Sequence, residues 1–392
     1  MNDQTSTFLR KCFRKYYFKQ DNSVETPDLI SSREFGYLPF GGFMTRHLQL
    51  NTAGELRALL VKESPLGVYC SCAYYENPTA VMPEKEWQGG DLSFDIDADD
   101  LELDCKKVHD RWICKQCQKI GKGLRPAKCV SCSGTRLFTL NWSCDKCLNG
   151  TKKEIIKLKE LLMEDFAIQE SGIHIFFSGN KGYHLIVDGS QYENVDQYGR
   201  AEIAQYMSLK GFETTLLGLS KRTTYNDTLK RISNSGNYGW RGRLYKFFNT
   251  RDIEWSEYNL TENSTPEEKL VTLFYNSKKS KFSKLIKDFI TEFGVVIDPV
   301  VTTDIHRIFR LPGSLHEKTG LSKKRCLDID QFNHSIDPVE LSSDYVKINV
   351  KFSPGFKLLD NEFGPYNNET LELPEYAASY IFANKLGEYI EN

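Results

Sequence analysis

Two aspartates separated by one residue are the most informative feature of this chain. Asp95 and Asp97 flank Ile96 in a short apolar run. Side chains alternate between faces along a β-strand, so both carboxylates project from one face while Phe94 and Ile96 point into a core. Two carboxylates at close range repel each other unless a cation lies between them. Oxygen ligands of this kind favour Mg²⁺ or Mn²⁺, so the spacing predicts a divalent metal site, against the alternative of a polar strand end.

A glycine-containing loop supplies a second candidate site. Residues 178–184 join two apolar strands and read Ser-Gly-Asn-Lys-Gly-Tyr-His. Glycines allow backbone N–H groups to approach an anion closely, and Lys181 adds a positive charge. The loop therefore suits a triphosphate, although a plain hairpin would have a similar sequence.

Two later segments carry further polar groups. Asp298 lies in an apolar run over residues 295–302, which predicts a strand that the acid either caps or equips with a third metal ligand. Arg310, His316 and Lys318 follow it, and these side chains are donors suited to phosphate oxygens.

Cysteines are concentrated in one part of the chain. Seven of the eleven lie between Cys105 and Cys147, and six of them form three Cys-x2-Cys pairs. In a chain expected to be intracellular, such pairs predict zinc sites more readily than disulfides. Together with one histidine they provide eight potential ligands: Cys105, His109, Cys114, Cys117, Cys129, Cys132, Cys144 and Cys147.

The eight ligands divide into two four-ligand sites in either of two ways. In a nested partition an inner ribbon site holds Cys114, Cys117, Cys129 and Cys132. The outer site then holds Cys105, His109, Cys144 and Cys147. In a sequential partition the first four ligands form one site and the last four form the other. Spacing alone leaves both open, and four protein ligands close either site to water, which predicts a structural role.

The elements that must position these groups are of both types. Helical periodicity over 152–170 leads into a strand at 173–177, and a further strand is predicted at 326–330. Residues from about 190 to 290 are predicted to be mainly helical.

Composition indicates an ordinary globular protein that handles polyanions locally. The chain has 392 residues, 27% of them charged, and a net charge of −2. Residues 91–104 carry seven acids and no base, whereas residues 205–251 carry nine Lys or Arg against two acids. No apolar run approaches the ~18 residues of a membrane span, and the first residues lack a signal-peptide pattern, so we expect an intracellular, cytoplasmic protein with no membrane partner.

Taken in order, these motifs resemble the small, catalytic subunit of archaeal and eukaryotic DNA primases. The matching motifs include Arg33-Glu34-Phe35, Phe94-Asp95-Ile96-Asp97, the Ser178-Gly179-x-x-Gly182-x-His184 loop, Asp298, and the segment from Arg310 to His316. The resemblance covers roughly residues 10–345, and the Leu-Pro-Gly-Ser-Leu-His form is more similar to the archaeal proteins.

The resemblance implies an α/β fold of the α+β type with a mixed sheet. Residues 1–104, 151–190 and 291–350 would form the primase catalytic core. Residues 105–150 would be a zinc-binding insertion, 191–290 a mainly helical subdomain and 351–392 a C-terminal segment. It also favours the nested zinc partition, because in this family a Cys-x2-Cys pair directly precedes the long helix that leads to the Ser-Gly loop.

The implied activity is synthesis of short primers de novo on single-stranded DNA by two-metal nucleotidyl transfer. Asp95, Asp97 and Asp298 would hold two Mg²⁺ or Mn²⁺ ions, while zinc would be structural. The incoming nucleoside triphosphate would contact Arg33, Ser178, Lys181, His184, Arg310 and His316. The implied partner is a DNA primase large subunit that carries an iron–sulfur cluster.

Two other interpretations remain open at the level of sequence. A related polymerase that serves repair or a mobile element would share the Asp95 and Asp97 pair and the Ser-Gly loop. A non-catalytic zinc-ribbon protein that binds nucleic acid would use the acids structurally.

Overall fold

The computed structural model of the chain describes residues 2–188, 191–234, 236 and 238–391. Positions 189, 190, 235 and 237, which fall within the predicted core and helical segments, lie outside the described residues. The described chain combines helices with antiparallel sheets, which confirms the predicted α/β class.

The helices begin at capping groups where the sequence supplies them. Asn2, for example, accepts a 2.8 Å hydrogen bond from the backbone N–H of Thr5 at the start of the first helix. None of the described helices is both long enough and apolar enough to cross a membrane. The helices are α1 (Asp3–Phe18), α2 (Ala53–Glu63), α3 (Lys106–His109), α4 (Asp145–Phe166), α5 (Gln197–Ser208), α6 (Tyr225–Ser233), α7 (Gly239–Asn249), α8 (Pro266–Asn276), α9 (Lys279–Phe293), α10 (Pro299–Thr303) and α11 (Glu375–Ala383).

The strands are short, and all of their pairings are antiparallel. They are β1 (Phe35–Leu38), β2 (Thr45–Leu48), β3 (Gly67–Ser71), β4 (Ala73–Tyr75), β5 (Trp87–Gly90), β6 (Leu92–Asp97), β7 (Arg111–Cys114), β8 (Ile120–Lys122), β9 (Leu137–Leu140), β10 (Ile173–Phe177), β11 (Gly182–Val187), β12 (Ile308–Arg310), β13 (Lys324–Arg325), β14 (Tyr345–Ser353), β15 (Phe356–Leu358), β16 (Asn361–Phe363), β17 (Tyr366–Pro374) and β18 (Gly387–Tyr389).

The chain divides into two compact units. The first comprises residues 1–156, 169–201 and 297–392, and the second comprises 157–168 and 202–296. The described part of the second unit is helical. The domain boundaries proposed from the sequence stay predictions.

Two four-stranded sheets dominate the first unit, in the orders β12-β3-β1-β2 and β13-β10-β11-β6. In the second sheet β11 pairs with β6, so that Leu185 lies opposite Phe94 and Tyr183 opposite Ile96. All four of these side chains are fully buried. Their alternation leaves the intervening polar residues of both strands together on the other face.

A smaller sheet, β8-β7-β9, forms the centre of the cysteine-rich insertion. We call residues 111–140 the ribbon. Its two ends lie side by side, because the Asp110 carboxylate accepts a 3.2 Å hydrogen bond from the backbone N–H of Trp142. On its inner face Trp112 and Cys114 are buried together with Leu137.

The strand predicted over 295–302 is wrong. Residues 299–303 form α10 instead, with Pro299 at its first position and Asp298 as its N-cap. Proline lacks the N–H that a sheet requires but suits the first turn of a helix. The buried Val295 and Val301 explain the apolar run without a strand.

The strand predicted over 326–330 is also wrong. The observed strand β13 ends at Arg325. The carboxylate of Asp328 accepts a 2.9 Å hydrogen bond from the backbone N–H of Asp330, and this local bond turns the chain away from the sheet.

Candidate active site

Strand β6 presents two carboxylates from one face, as the sequence spacing predicts. Asp95 and Asp97 are partly exposed, whereas Phe94 and Ile96 on the opposite face are completely buried. Strand β11 lies alongside, with His184 opposite Asp95 and Gly182 opposite Asp97. The two acids therefore stand at a fixed place at the end of a rigid edge strand.

The structure brings Asp298 to the same place from about two hundred residues away. Its backbone N–H donates a 3.0 Å hydrogen bond to the carbonyl oxygen of Asp95. Its carboxylate caps α10 by accepting a 2.9 Å hydrogen bond from the N–H of Val300. A cap uses one side of the carboxylate, so oxygen lone pairs remain for a further ligand.

The carboxylates repel one another. Burial, followed by the negative charges of Asp97 and Asp298, raises the pKa of Asp95 to about 7. Burial also raises the pKa of Asp97, in spite of a hydrogen bond from the Asp99 N–H. Oxygen donors crowded in this way fit a divalent cation, which would supply the missing positive charge.

The Ser-Gly loop packs against the β6 strand without spare room. A Cβ atom at Gly182 would lie 1.9 Å from the carbonyl oxygen of Ile96. Gly179 has a φ of +84°, and a Cβ there would approach the Leu321 carbonyl oxygen to 3.0 Å. The Ser178 hydroxyl accepts 3.3 Å hydrogen bonds from the N–H groups of Asn180 and Gly182, which folds the loop tightly.

Lys181 belongs to this loop and carries its positive charge. Its ammonium lies 3.1 Å from both carboxylate oxygens of Asp99. Because Asp99 lies two residues after the end of β6, this ion pair ties the loop to the acidic strand. Sequence reasoning missed the pairing because it had assigned no role to Asp99.

Two neutral histidines lie next to the carboxylates and the loop. Burial, with the positive charges of Lys323 and Arg310 adding to it, holds the pKa of His184 well below its usual range. Its Nε2 atom is 3.5 Å from a carboxylate oxygen of Asp95. Burial likewise holds the pKa of His316 well below its usual range.

The hydrogen bonding of His316 fixes its tautomer. Its Nδ1 atom accepts a 3.0 Å hydrogen bond from the backbone N–H of Lys318. A neutral imidazole that accepts at Nδ1 carries its proton on Nε2. His316 thus presents a hydrogen-bond donor, the type of group that a phosphate oxygen accepts.

The two predicted arginines are engaged in internal contacts. Arg310 is buried and binds Glu317, the carbonyl oxygen of Leu315 and the hydroxyl of Tyr69. Arg33 is buried too, and its guanidinium binds Asp91 at 2.8 Å.

Further donors of the Arg33 guanidinium go to the Tyr74 hydroxyl and to the carbonyl oxygens of Asp28, Ser71 and Cys72. The structure therefore does not bring the Arg33 guanidinium to the three acids. Its role as a nucleotide contact stays a prediction.

A buried lysine also went unnoticed in the sequence. Lys323 is fully buried, donates a 2.9 Å hydrogen bond to the carbonyl oxygen of Arg310, and lies over the ring of Phe176. Burial lowers its pKa to about 8. The Lys-Lys-Arg run that contains it resembles an ordinary solvated segment, so only the tertiary structure identifies it.

Eight cysteine and histidine ligands form two compact groups in the nested arrangement. Within each group the candidate ligand atoms all lie within 4.8 Å of one another, which suits a tetrahedral zinc ion. The imidazole of His109 lies 2.8 Å from Asp110, a neighbour able to orient it. The groups are Cys105, His109, Cys144 and Cys147, and Cys114, Cys117, Cys129 and Cys132.

Comparison with known proteins gives one consistent result. The family model described as DNA primase small subunit matches residues 140–329. The DNA primase small subunit PriS of Nitrosopumilus maritimus is 36% identical, over 98% of this chain and 99% of the relative. The corresponding protein of Cenarchaeum symbiosum is 34% identical over 98% and 99%, and that of Picrophilus torridus is 27% identical over 97% of each chain.

These relatives cover nearly the whole chain, including the strand that carries the paired acids and the insertion that carries the cysteines. The resemblance drawn from the sequence motifs is thereby confirmed. This chain belongs to the DNA primase small subunit family.

Proposed function

We propose that this chain is the catalytic subunit of a DNA primase, and that it synthesises short primers de novo on single-stranded DNA. One observation carries the proposal: Asp95, Asp97 and Asp298 meet beside a glycine loop and two neutral histidines. Acids that attract a cation next to donors that suit phosphate are the requirements for nucleotidyl transfer.

Asp95, Asp97 and Asp298 would hold two Mg²⁺ or Mn²⁺ ions. When bound, the ions lower the pKa of the attacking 3′-hydroxyl and neutralise charge on the leaving pyrophosphate. In the reaction the 3′-oxygen bonds to the α-phosphorus, the bond from that phosphorus to the pyrophosphate oxygen breaks, and the hydroxyl proton passes to water. The acids of this chain would position both oxygens in line.

The triphosphate would be held by Ser178, Lys181, His184, Arg310 and His316. The His316 Nε2–H is a ready donor, and the Ser178 hydroxyl, which accepts from the N–H groups of Asn180 and Gly182, would donate its own proton to a phosphate oxygen. Lys181 and Arg310 would each exchange an internal carboxylate, Asp99 or Glu317, for phosphate oxygens. Arg33 would be a further contact, and its guanidinium is likewise bound to an internal carboxylate, that of Asp91.

The cysteine groups, the domain boundaries and the partners complete the proposal. We propose that both cysteine groups hold structural zinc and that the catalytic core and the insertion have the boundaries predicted from the sequence. We also propose that the protein acts inside the cell. Its partners would be single-stranded DNA template, nucleoside triphosphates and a primase large subunit.

Template-dependent incorporation without a primer tests the proposal. Purified protein, with and without its large subunit, is given single-stranded DNA, labelled nucleotides and Mn²⁺, and short products are resolved on a gel. We expect de novo products from the wild type and none from Asp95→Ala. Products that require a supplied primer would indicate a related repair polymerase instead. Wild-type yield from Asp95→Ala would refute the assignment of the acids.

A further inference from the structure

The ribbon carries an excess of positive charge, and none of the proposed active-site residues belongs to it. Residues 111–140 contain seven Lys or Arg and no Asp or Glu. The chain as a whole has a net charge of −2, so this excess is a local property. A concentration of one sign on a small module is typical of a surface that binds a polyanion.

Strand register places much of this charge on one face. Across β8-β7-β9, Ile113 lies opposite Ile120 and Phe138, and Arg111 lies opposite Lys122 on one side and the buried Leu140 on the other. The backbone N–H of Lys115 donates to the carbonyl of Arg136, which extends the same row. We call this the ribbon face, formed by Arg111, Ile113, Lys115, Ile120, Lys122, Arg136 and Phe138.

The ribbon face combines cations with exposed apolar groups. Phe138 is 50% exposed and lies opposite Ile113, with Lys115 and Arg136 at the next positions of the same face, while Trp112 on the opposite face is buried. An exposed aromatic ring with Lys and Arg at neighbouring positions suits single-stranded nucleic acid, because a base stacks on the ring while phosphates contact the cations.

A groove continues from this face toward the catalytic loop. The lining of a cavity of about 590 Å³ includes Arg111 and Lys122 of the ribbon face and Asn180 of the Ser-Gly loop. Aromatic side chains line the groove as well, among them Trp142 and Phe356. A strand that enters over the ribbon face would thus reach the loop along a continuous surface within the first unit.

We propose that the ribbon face binds the backbone of the single-stranded DNA template, with a base stacked on Phe138, and leads the strand along this groove toward the Ser-Gly loop. The inference rests on the proposed function for the identity of the strand. An acidic segment of a partner protein is the competing occupant, and it differs in having no bases to stack on Phe138.

Binding of a fluorescein-labelled oligo(dT) to the full chain, followed by anisotropy over about 50 to 200 mM salt, tests the proposal. We expect Lys115→Ala/Lys122→Ala/Arg136→Ala to weaken binding and to reduce the slope of log affinity against log salt by about 2, since each lost phosphate contact on single strands removes about 0.7. We expect Phe138→Ala to weaken binding about tenfold with the slope unchanged, and Phe138→Tyr to restore it.

A matched control removes the same charge elsewhere. Lys11→Ala/Lys62→Ala/Lys284→Ala takes away three exposed lysines outside the ribbon, and we expect oligo(dT) binding close to that of the wild type. Zinc content of two ions per chain in every variant would show that the ribbon is still folded.

Two results would overturn the inference. One is equal loss of affinity in the ribbon and control triple variants, which would reduce the effect to net charge. The other is unchanged oligo(dT) affinity in the ribbon variants together with weaker binding of the large subunit, which would make the face a protein-docking surface. Primer synthesis by the wild type, measured in parallel, separates either result from a failure of the proposed function.

Discussion

The carboxylate site and the cysteine groups offer a cation opposite kinds of ligand. The carboxylates come from β6 and from the start of α10, where burial, followed by the charges of the neighbouring acids, raises the pKa of Asp95 to about 7. The cysteine groups each bring four ligand atoms within 4.8 Å of one another inside a single insertion. The first set is an open cluster of hard oxygen ligands, and the second is two closed clusters of mainly soft sulfur ligands.

The two kinds of ligand set suit different roles: the open carboxylate site suits catalysis, and the closed cysteine groups suit structural support. Four sulfur or imidazole ligands complete the coordination of zinc and leave no position for substrate. Carboxylates leave positions open for water, hydroxyl and phosphate oxygens, so their cations are exchangeable. Changes at the oxygen site should therefore affect turnover, and changes at the sulfur sites should affect folding.

The largest effect is expected from Asp298→Asn. Removing one carboxylate charge from the open site should lower primer synthesis by more than about 1000-fold, because metal-ion stabilisation of the transition state is worth several kcal/mol. Thermal unfolding should change little. Asp104→Asn is the matched control, since Asp104 is an exposed acid in the acidic segment that also carries Asp95 and Asp97, and it pairs with Lys107. Activity of Asp298→Asn within tenfold of the wild type would contradict the open-site assignment.

The next largest effect concerns the outer cysteine site. Cys147 is almost fully buried at the start of α4, the long helix that leads toward the Ser-Gly loop. Cys147→Ser should lower the zinc content from two ions to one and lower the free energy of unfolding by more than about 4 kcal/mol. Zinc analysis and urea unfolding measure both. Retention of two zinc ions at wild-type stability would show that Cys147 is not a ligand of a structural zinc site.

A smaller effect should appear in the free energy of unfolding, which should depend on pH through the carboxylate site when no divalent ion is present. The folded pKa of Asp95, about 7, lies above its ordinary value of 3.8, so the fold favours the protonated form. The contribution of Asp95 to the free energy of unfolding is fully present below about pH 4 and is lost as pH rises through 7.

We expect the free energy of unfolding to fall by about 1–2 kcal/mol between pH 5.5 and 8 because of Asp95. Urea unfolding of the wild type and of Asp95→Asn at both pH values measures the difference. Saturating Mg²⁺ should abolish the trend in the wild type. An identical pH dependence in Asp95→Asn would show that Asp95 is not its source.

The smallest effect on the core is expected from the inner cysteine site. Cys117 is exposed, and its site lies wholly within the ribbon. Cys117→Ser should remove one zinc ion while changing the unfolding free energy of the core by less than about 1 kcal/mol. Limited proteolysis should then cut within the ribbon and spare α4. Cooperative loss of the whole fold would show that the two cysteine sites are not independent.

The sequence predicted the parts of each site that are encoded locally. Strand alternation correctly placed Asp95 and Asp97 on one face, and Cys-x2-Cys spacing identified the cysteine ligands, because both patterns span only a few residues. The choice between the two zinc partitions needed the family resemblance, since both partitions use the same spacings.

The sequence did not predict which charged side chains pair with one another when they are far apart along the chain. Arg33 was predicted to contact nucleotide, yet its guanidinium binds Asp91, and Lys181 pairs with Asp99. The strand expected around Asp298 is a capped helix, because Pro299 favours a first helical turn. A motif in the sequence shows which hydrogen-bond donors are present, but the tertiary structure determines which acceptors they bind.

The hydrogen bond between Trp142 and Asp110 gives the ribbon a property of evolutionary interest. The module leaves and re-enters the core at adjacent points, and the outer cysteine group takes its candidate ligands from the chain on both sides of the ribbon. A segment closed in this way can be lengthened, shortened or lost without moving the catalytic strands, since loop closure costs little more for a longer loop. The length of the ribbon can therefore change while the strand that carries Asp95 and Asp97 keeps its place in the sheet.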